Sequence, residues 1–508
     1  MNKIIKIINK YKYLFYCLFI SFISLMITTK NSFLYPFNDW CDVNAFFTMG
    51  KSMLNGIVPY KDIFEQKGII LYLIYSVGYL ISNTTYIGVF FIEVLFFTVF
   101  LNYLHKIVKL FVDEKYSLFI LPLIAVIICT SNAFVHGGSC EELCLPFFAY
   151  CLYLLIRYFK GEELNFKSIF INGVLAGTVF MMKYTIIGFW FAFMMCIGID
   201  MFFIKKNRKK AIQYCIVFLL GMLLPILLSL IYFAINGGID DFIRCYFEIN
   251  IMCYGDAVIP LLDRFLNIIF YLIYFSYING ILPFILLVFF PLFITKLNIS
   301  FWGKVSIVIN LYINIIAIYW GLRHYDYYYL PLLVFLIFPI INICLVLDRY
   351  IKPMFELKGC YILYFLVIIT FTIGCYNGAN YRDMIGMDKS QMFQFKYADY
   401  IKQYEDPTLL NMGFLDAGIY TLADILPNTY FFEVQNIDYE NFPDNLDYMR
   451  ENVENKDVKF IVYNSKRNFM YIERVHGYIL DNYELVYSDT YYFEHERYYA
   501  YLFKLKDL

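Results

Sequence analysis

The sequence predicts a polytopic α-helical membrane protein with a C-terminal extracytoplasmic α/β domain, and three observations lead there. Of its 508 residues, 61% are hydrophobic and only 16% charged. Soluble domains carry roughly 45–50% apolar and about 25% charged residues. Up to about residue 376 the apolar residues form long runs between short polar stretches. From Asn377 onward no run reaches the roughly 18 apolar residues that cross a bilayer, and charge rises. This pattern excludes a soluble enzyme, a disordered chain and a fibrous protein. The net charge of −1, with no basic stripe, argues against a nucleic-acid partner. No Cys follows Cys375, so no disulfide framework holds the last part of the chain.

About eleven transmembrane helices are predicted, on apolar runs near residues 13–30, 86–104, 116–133, 142–156, 168–182, 184–204, 211–235, 265–295, 304–322, 328–347 and 360–376. The first follows Lys3, Lys6, Lys10 and Lys12 and lacks a small-residue cleavage site, which reads as an uncleaved anchor. Residues 68–81 are apolar but too short to span comfortably, and the loop charges decide their place. With 68–81 lying on the outer surface, about 20 Lys and Arg fall on the cytoplasmic side and about seven outside, in line with the positive-inside rule. Counting 68–81 as a span reverses that bias. The expected topology therefore has a cytoplasmic N-terminus, a first outer loop over 31–67, a surface helix over 68–81, a transmembrane domain over 1–376 and an outside domain over 377–508. In the last, Leu409–Phe414, Tyr430–Val434, Lys459–Tyr463, Glu484–Tyr487 and Tyr498–Lys504 read as strands, and Asn441–Asn455 as a helix.

On this topology the ionisable residues collect on the outer face. The first loop holds Asp39, Asp42, Asp62, Glu65 and Lys67, and the second reads His136-Gly137-Gly138-Ser139-Cys140-Glu141-Glu142. Lys183 lies between two apolar runs with almost no loop, and Arg323-His324-Tyr325-Asp326 lies between two more. Ionisable groups at membrane depth cost about 2.5–3.5 kcal/mol on insertion scales, so several of both signs on one side suggest a site for an anionic ligand that also needs a base. Each residue has a plainer reading. Loop carboxylates are usually solvated, Glu141-Glu142 could face a helix dipole, Lys183 could snorkel, and Arg323 could pair with Asp326. His105, His476 and His495 look incidental, and no spacing suggests zinc, a phosphate loop or a nucleophile elbow.

The order of the motifs sharpens this. Asp42-Val43-Asn44-Ala45-Phe46-Phe47, then Gly50-Lys51, Gly56, Pro59-Tyr60-Lys61-Asp62 and Lys67-Gly68, resembles the first outer loop of GT-C superfamily membrane glycosyltransferases, the glycosyltransferase family 39-like branch related to protein mannosyltransferases. Gly137-Gly138-Ser139-Cys140-Glu141-Glu142 with Pro146 is similar to their Gly-Gly-Asn-x-x-Glu-Glu segment. Arg323-His324-Tyr325-Asp326-Tyr327-Tyr328 is similar to their late Arg-x-Tyr-x-His-Tyr-Tyr, and Asn411-Met412-Gly413 with Phe460-Ile461-Val462 resembles the extracytoplasmic domain many of them carry. Three positions depart from the pattern: Val43 stands for a Glu, Ile69 for a Pro, and Asp326 for the late His, with His324 two residues upstream.

The resemblance implies transfer of a sugar, with inversion, from a polyprenyl-phosphate-linked donor to an extracytoplasmic acceptor: a glycan, a lipid or a protein of the cell envelope. Asp42 would be the base, since a hydroxyl is a poor nucleophile until a carboxylate takes its proton. Asp39, Glu141 and Glu142 are candidates for the acceptor or for a divalent cation. Lys67, Lys183, Arg323 and His324 are candidates for the donor phosphate, and Tyr60, Asp62 and Asp326 complete the set. The donor lipid would lie between spans, in the membrane lipid, with the helix 68–81 as its gate. Two alternatives remain at this point: a polymerase or ligase of lipid-linked oligosaccharides, and a lipid flippase or transporter.

Overall fold

The structure is a computed structural model that describes residues 2–253, 259–355, 360–493 and 496–508, so His495 lies outside the described residues. It divides into two compact units, each assembled from separated stretches of sequence.

The first unit comprises Met1–Ser32, Phe90–Ser229 and Val258–Arg382 and is almost wholly helical. Among the described residues of the whole chain, nine helices are long and apolar enough to cross a membrane: Lys10–Thr28, Ile87–Val108, Cys140–Phe159, Tyr184–Ile204, Arg208–Asn236, Leu261–Ile278, Phe301–Tyr319, Asp326–Val346 and Tyr361–Gly378. The chain is a multi-pass membrane protein. These nine match nine of the eleven expected runs. The other two form shorter helices, Ser117–Cys129 and Phe166–Phe180, of 13 and 15 residues. At 1.5 Å per residue they are roughly 20 Å and 23 Å long, less than the ~30 Å hydrocarbon core. The second is fixed by small residues. A Cβ at Gly173 or Gly177 would run into the backbone of Phe218 or Met222, and one at Gly221 into that of Phe170. The Phe166–Phe180 helix thus packs backbone to backbone on Arg208–Asn236, the contact that small-xxx-small spacing permits in lipid.

The second unit joins Phe33–Val89, Leu230–Ala257 and Asp383–Leu508. The stretch 31–67 is not an open loop: Cys41–Leu54 is a helix with Cys41, Val43–Ser52 buried. It packs on the helix Ile69–Ile81, and the contact needs Gly50, where a Cβ would lie 2.6 Å from the Ser76 backbone nitrogen and 2.7 Å from the Tyr72 carbonyl oxygen. Ile69, Leu71, Tyr72, Tyr75, Ser76 and Gly78 form the buried face of Ile69–Ile81. Leu73, Val77, Leu80 and Ile81, spaced i, i+4, i+7, i+8, form an exposed apolar stripe.

A four-stranded sheet completes the unit: β1 Leu409–Met412, β2 Phe460–Ser465, β3 Tyr483–Phe493 and β4 Glu496–Leu505, in the order β1-β2-β4-β3. β1 and β2 are parallel, joined through the helix Pro443–Asn455, and the other pairs are antiparallel. Tyr430–Val434, expected as a strand, is not one. Its backbone bonds go singly to two different segments, Phe64 N–H to the Tyr430 carbonyl at 2.8 Å and Asn411 N–H to the Phe432 carbonyl at 3.1 Å, so no ladder forms. Its residues Phe431, Phe432 and Glu433 are buried in succession. Tyr491 and Tyr498 are opposite each other on β3 and β4 with ring centroids 5.6 Å apart, so their aromatic surface goes into cross-strand packing.

Candidate functional site

Asp42 lies in the first turn of the Cys41–Leu54 helix, where the N-terminal dipole end favours a carboxylate. It is half-buried, while its neighbours Cys41 and Val43 are buried. Asn44 fixes the start of the helix: its Nδ2 donates to the carbonyls of Asn38 at 3.1 Å and Trp40 at 2.8 Å, and its Oδ1 accepts from the Tyr86 hydroxyl. Phe46 is one turn beyond Asp42, on the same face. The Lys67 amine lies 5.6 Å from the centre of the Phe46 ring, which brings a cation to the Asp42 face. The turn that delivers Lys67 is tightly held. The Tyr60 and Tyr72 hydroxyls both donate to the Lys67 carbonyl, and Glu65 Oε2 accepts from Lys67 N–H at 2.7 Å and from the Tyr72 hydroxyl. Tyr60 adopts a left-handed conformation at φ 67° and is wholly buried. Asp62 is exposed and accepts from Val58 N–H at 2.7 Å within its own turn. Asp39 is half-buried at the start of the helix.

The C-terminal stretch of the same unit adds two carboxyl groups that the sequence did not point to. Asp416 accepts from the Thr48 hydroxyl at 3.0 Å, Asn411 Nδ2 at 3.1 Å and Gly418 N–H at 2.7 Å. Glu433 Oε2 accepts from Asp416 N–H at 2.6 Å. Both are fully buried, and burial pushes Asp416 up to about 6 in spite of those donors. Glu433 is raised well above the usual carboxylate range, by burial first and then by the charges of Asp416, Glu65 and Asp42. The cation nearest Asp416 is Lys51, which pairs with Asp424 at 2.8 Å; burial lowers its amine in spite of that partner.

The first unit holds a different cluster. Gly137 and Gly138, both at φ +82°, make a turn that side-chain-bearing residues rarely adopt. They lead into Ser139, which caps the Cys140–Phe159 helix by accepting from Glu142 N–H at 3.1 Å, while Glu142 Oε2 accepts from Gly138 N–H at 2.8 Å. Glu142 is in hydrogen-bond contact with Glu93, which also accepts from the Thr29 hydroxyl at 3.0 Å and Asn31 Nδ2 at 3.1 Å. Glu141 forms a buried ion pair with Lys183, whose amine lies 3.5 Å from the centre of the Tyr328 ring. Lys183 therefore points inward and does not snorkel. His136 stacks on Tyr381 with centroids 4.9 Å apart, and the Lys30 amine lies 3.7 Å from the same ring. Burial, then the Lys30 charge, holds His136 well below the usual imidazole range. His324 stacks on Tyr271 at 4.9 Å, Arg323 is half-buried beside it, and Asp326 opens the short 3₁₀ turn Asp326–Tyr329.

The structure thus brings Asp42, Glu65 and Lys67 together in one unit with Asp416 and Glu433, and Glu141, Glu142 and Lys183 together in the other with Glu93. Glu93 carried a readable signal, a lone acid inside the apolar run 86–104. Glu142 and Glu141, candidates for a cation, are engaged by Glu93 and Gly138 and by Lys183. Among the described residues, no three His, Cys, Asp or Glu are arranged to hold a metal ion.

The family described as competence-induced protein Ccs4 N-terminal domain matches residues 2–358. No curated protein sequence matches the chain. Among solved structures, ArnT from Cupriavidus metallidurans bound to undecaprenyl phosphate is similar with a TM-score of 0.58 at 9% identity, over 97% of this chain and 98% of that one. The Archaeoglobus fulgidus oligosaccharyltransferase, in complex with Zn and sulfate, is similar with a TM-score of 0.51 at 14% identity, over 96% of this chain and 72% of that one. The arabinofuranosyltransferase AftD from Mycobacteria is similar with a TM-score of 0.50 at 10% identity, over 97% of this chain and 40% of its own. All three have the GT-C fold. With a family match over residues 2–358 and these likenesses along nearly its whole length, the chain belongs to the competence-induced Ccs4 family and has the GT-C fold.

Proposed function

We propose that this protein is an integral-membrane glycosyltransferase that moves a sugar from a polyprenyl-phosphate-linked donor to an acceptor on the outer face of the membrane, with inversion. In the reaction, Asp42 takes the proton of an acceptor hydroxyl as that oxygen bonds to the anomeric carbon. The bond from carbon to phosphate oxygen breaks, and polyprenyl phosphate leaves with the electron pair. Lys67 stabilises the charge the phosphate gains. The observation that carries this reading is a half-buried Asp42 at a helix N-terminus, with the Lys67 amine 5.6 Å from the ring of Phe46, one turn along the same face. The undecaprenyl phosphate bound to ArnT supports the donor class. Lys183, paired with Glu141, and Arg323 and His324 are further candidates for the phosphate. The bias of Lys and Arg supports a cytoplasmic N-terminus and an outside C-terminal region, and the exposed stripe Leu73, Val77, Leu80, Ile81 supports a surface helix bedded in lipid.

The test is transfer from a labelled polyprenyl-phosphate hexose by purified protein in lipid, with a native-envelope extract as acceptor pool. Wild type transfers label, and Asp42→Asn loses about 10²–10⁴-fold while still binding the donor. Undiminished transfer by Asp42→Asn would refute Asp42 as the base.

A further inference from the structure

We propose that a cavity at the ends of two membrane helices of the first unit binds the headgroup of an amine-bearing zwitterionic phospholipid. Lys115 and Lys352 hold its phosphate, and Asp113 and Asp348 hold its ammonium. The inference goes beyond the transferase reading and does not rest on it.

The cavity has a volume of about 440 Å³, within the roughly 300–1,000 Å³ of small-molecule sites. Two stretches of the first unit build it. One is the turn that follows the Ile87–Val108 helix and includes the short 3₁₀ helix Glu114–Tyr116. The other is the end of the Asp326–Val346 span with the helical turn Asp348–Ile351 after it. The two walls are joined, because the hydroxyl of buried Tyr116 donates to Asp348. Asp113 is fixed as the cap of the Glu114–Tyr116 turn, its Oδ1 accepting from Lys115 N–H at 2.8 Å. Both carboxylates are thus placed by neutral donors, which leave their charge unanswered.

Charge sets the ligand class. Lys115, Lys352, Asp113 and Asp348 all line the cavity, yet none forms an ion pair among the described residues. The neighbouring acid shows the contrast: Glu114 takes both Lys12 and Lys109, each at 3.1 Å. Two charges of each sign around one space suit a ligand that itself carries both. A ligand with a phosphate alone would set the two aspartates against an anion, and an amine alone would set the lysines against a cation.

Position selects a lipid as the source. Val108 and Val346 end two candidate spans, so the cavity lies where hydrocarbon gives way to headgroups. Phe111 and Leu345 supply apolar lining, and Val346, Leu347 and Tyr350, next in sequence, are exposed apolar surface for acyl chains. The bias of Lys and Arg assigns this end to the cytoplasm, which makes the lipid one of the inner leaflet. A primary ammonium donates N–H bonds to the aspartates, as a quaternary choline does not.

The experiment reads the lipid kept by the purified full-length protein. The protein is equilibrated in detergent with equal amounts of phosphatidylethanolamine, phosphatidylcholine and phosphatidylglycerol, and bound lipid is identified by native mass spectrometry. Wild type should prefer phosphatidylethanolamine about tenfold, the scale of hydrogen bonds to charged groups. Lys115→Gln with Lys352→Gln, and separately Asp113→Asn with Asp348→Asn, should each lower its retention about tenfold. The Asn pair keeps acceptors for the turn cap and for Tyr116, and a thermal midpoint within a few degrees of wild type separates lost binding from misfolding. Lys206→Gln with Lys209→Gln, the same charge change on exposed lysines of another loop, should leave retention unchanged. Loss in the lysine pair alone, or equal retention of phosphatidylglycerol, overturns the zwitterionic class. Equal retention of phosphatidylcholine overturns the N–H bonds to the aspartates. An equal loss in the Lys206 and Lys209 control reduces the site to surface charge and overturns it. Soluble O-phosphoethanolamine that displaces the lipid at equal concentration overturns the lipid source. Retention of none of the three lipids overturns the proposal.

Discussion

Each unit pairs one buried lysine with an acid, Lys183 with Glu141 and Lys51 with Asp424, but the two differ in what surrounds their other carboxyl groups. In the first, Glu141 is matched by Lys183 under an aromatic ring, while Glu93 accepts from Thr29 and Asn31, and Glu142 accepts from Gly138 through Oε2 but finds no partner for Oε1 among the described residues. In the second, Asp42, Glu65, Asp416 and Glu433 outnumber Lys51 and Lys67, and Lys51 is already committed to Asp424. Compensated charge in a bundle holds helices in register. Uncompensated charge costs stability and persists where a ligand or a proton transfer uses it. The sequence offered both sets of residues on equal terms.

Four substitutions or conditions break or sharpen that comparison. The largest effect is expected at Asp42: Asn there should lower transfer about 10²–10⁴-fold with little change in thermal midpoint. Next, Lys183→Ala leaves Glu141 buried without its cation and should destabilise by about 3–5 kcal/mol in thermal or denaturant unfolding, whereas Lys183→Met with Glu141→Leu should restore most of it. If Lys183→Ala instead left stability unchanged and abolished donor binding, the first unit's pair would be chemical after all. Gly50→Ala comes third. Its Cβ would strike the backbone of Tyr72 and Ser76, at a cost of about 1–3 kcal/mol by the same measurement.

The smallest effect is a pH dependence. Asp416 is raised to about 6 in the folded chain against about 3.9 unfolded. Between those values the unfolded chain has lost a proton that the folded chain keeps, so this contribution to stability is full below about pH 4 and is lost as pH rises through about 6. Asp416→Asn should flatten the slope in that window, measured by unfolding across pH. A wild-type stability that rises over the same window while Asp416→Asn does not would break the argument.

Much of the candidate site was legible because its residues are close in sequence. Asp42, Lys67 and the helix starting after Gly68 lie within one stretch, and a motif order spanning 26 positions can be read without a structure. The apolar runs were legible for the same reason, since lipid imposes one length and one composition on each helix. Glu433 and Asp416 were not. Asp416 reaches Thr48 across 368 residues, and nothing local distinguishes either acid from the solvated acids around it. The aromatic run Tyr430–Val434 misled because its residues 431–433 are buried in succession between two segments, without the ladder that makes a strand. Lys183 was singled out as a lone cation, but its partner Glu141 is 42 residues upstream, so only the structure shows the charge to be answered.

The bond between Thr48 and Asp416 also sets a timetable for biosynthesis. At about 5–20 residues per second, the chain emerging from the ribosome needs roughly 20–70 s to traverse the intervening stretch. Through that interval the Cys41–Leu54 helix exists without the segment that later buries it, long after the membrane helices between them have begun to insert. A late truncation would leave that wait without an end, and a nascent chain stalled before Asp416 would present the same face to chaperones and proteases.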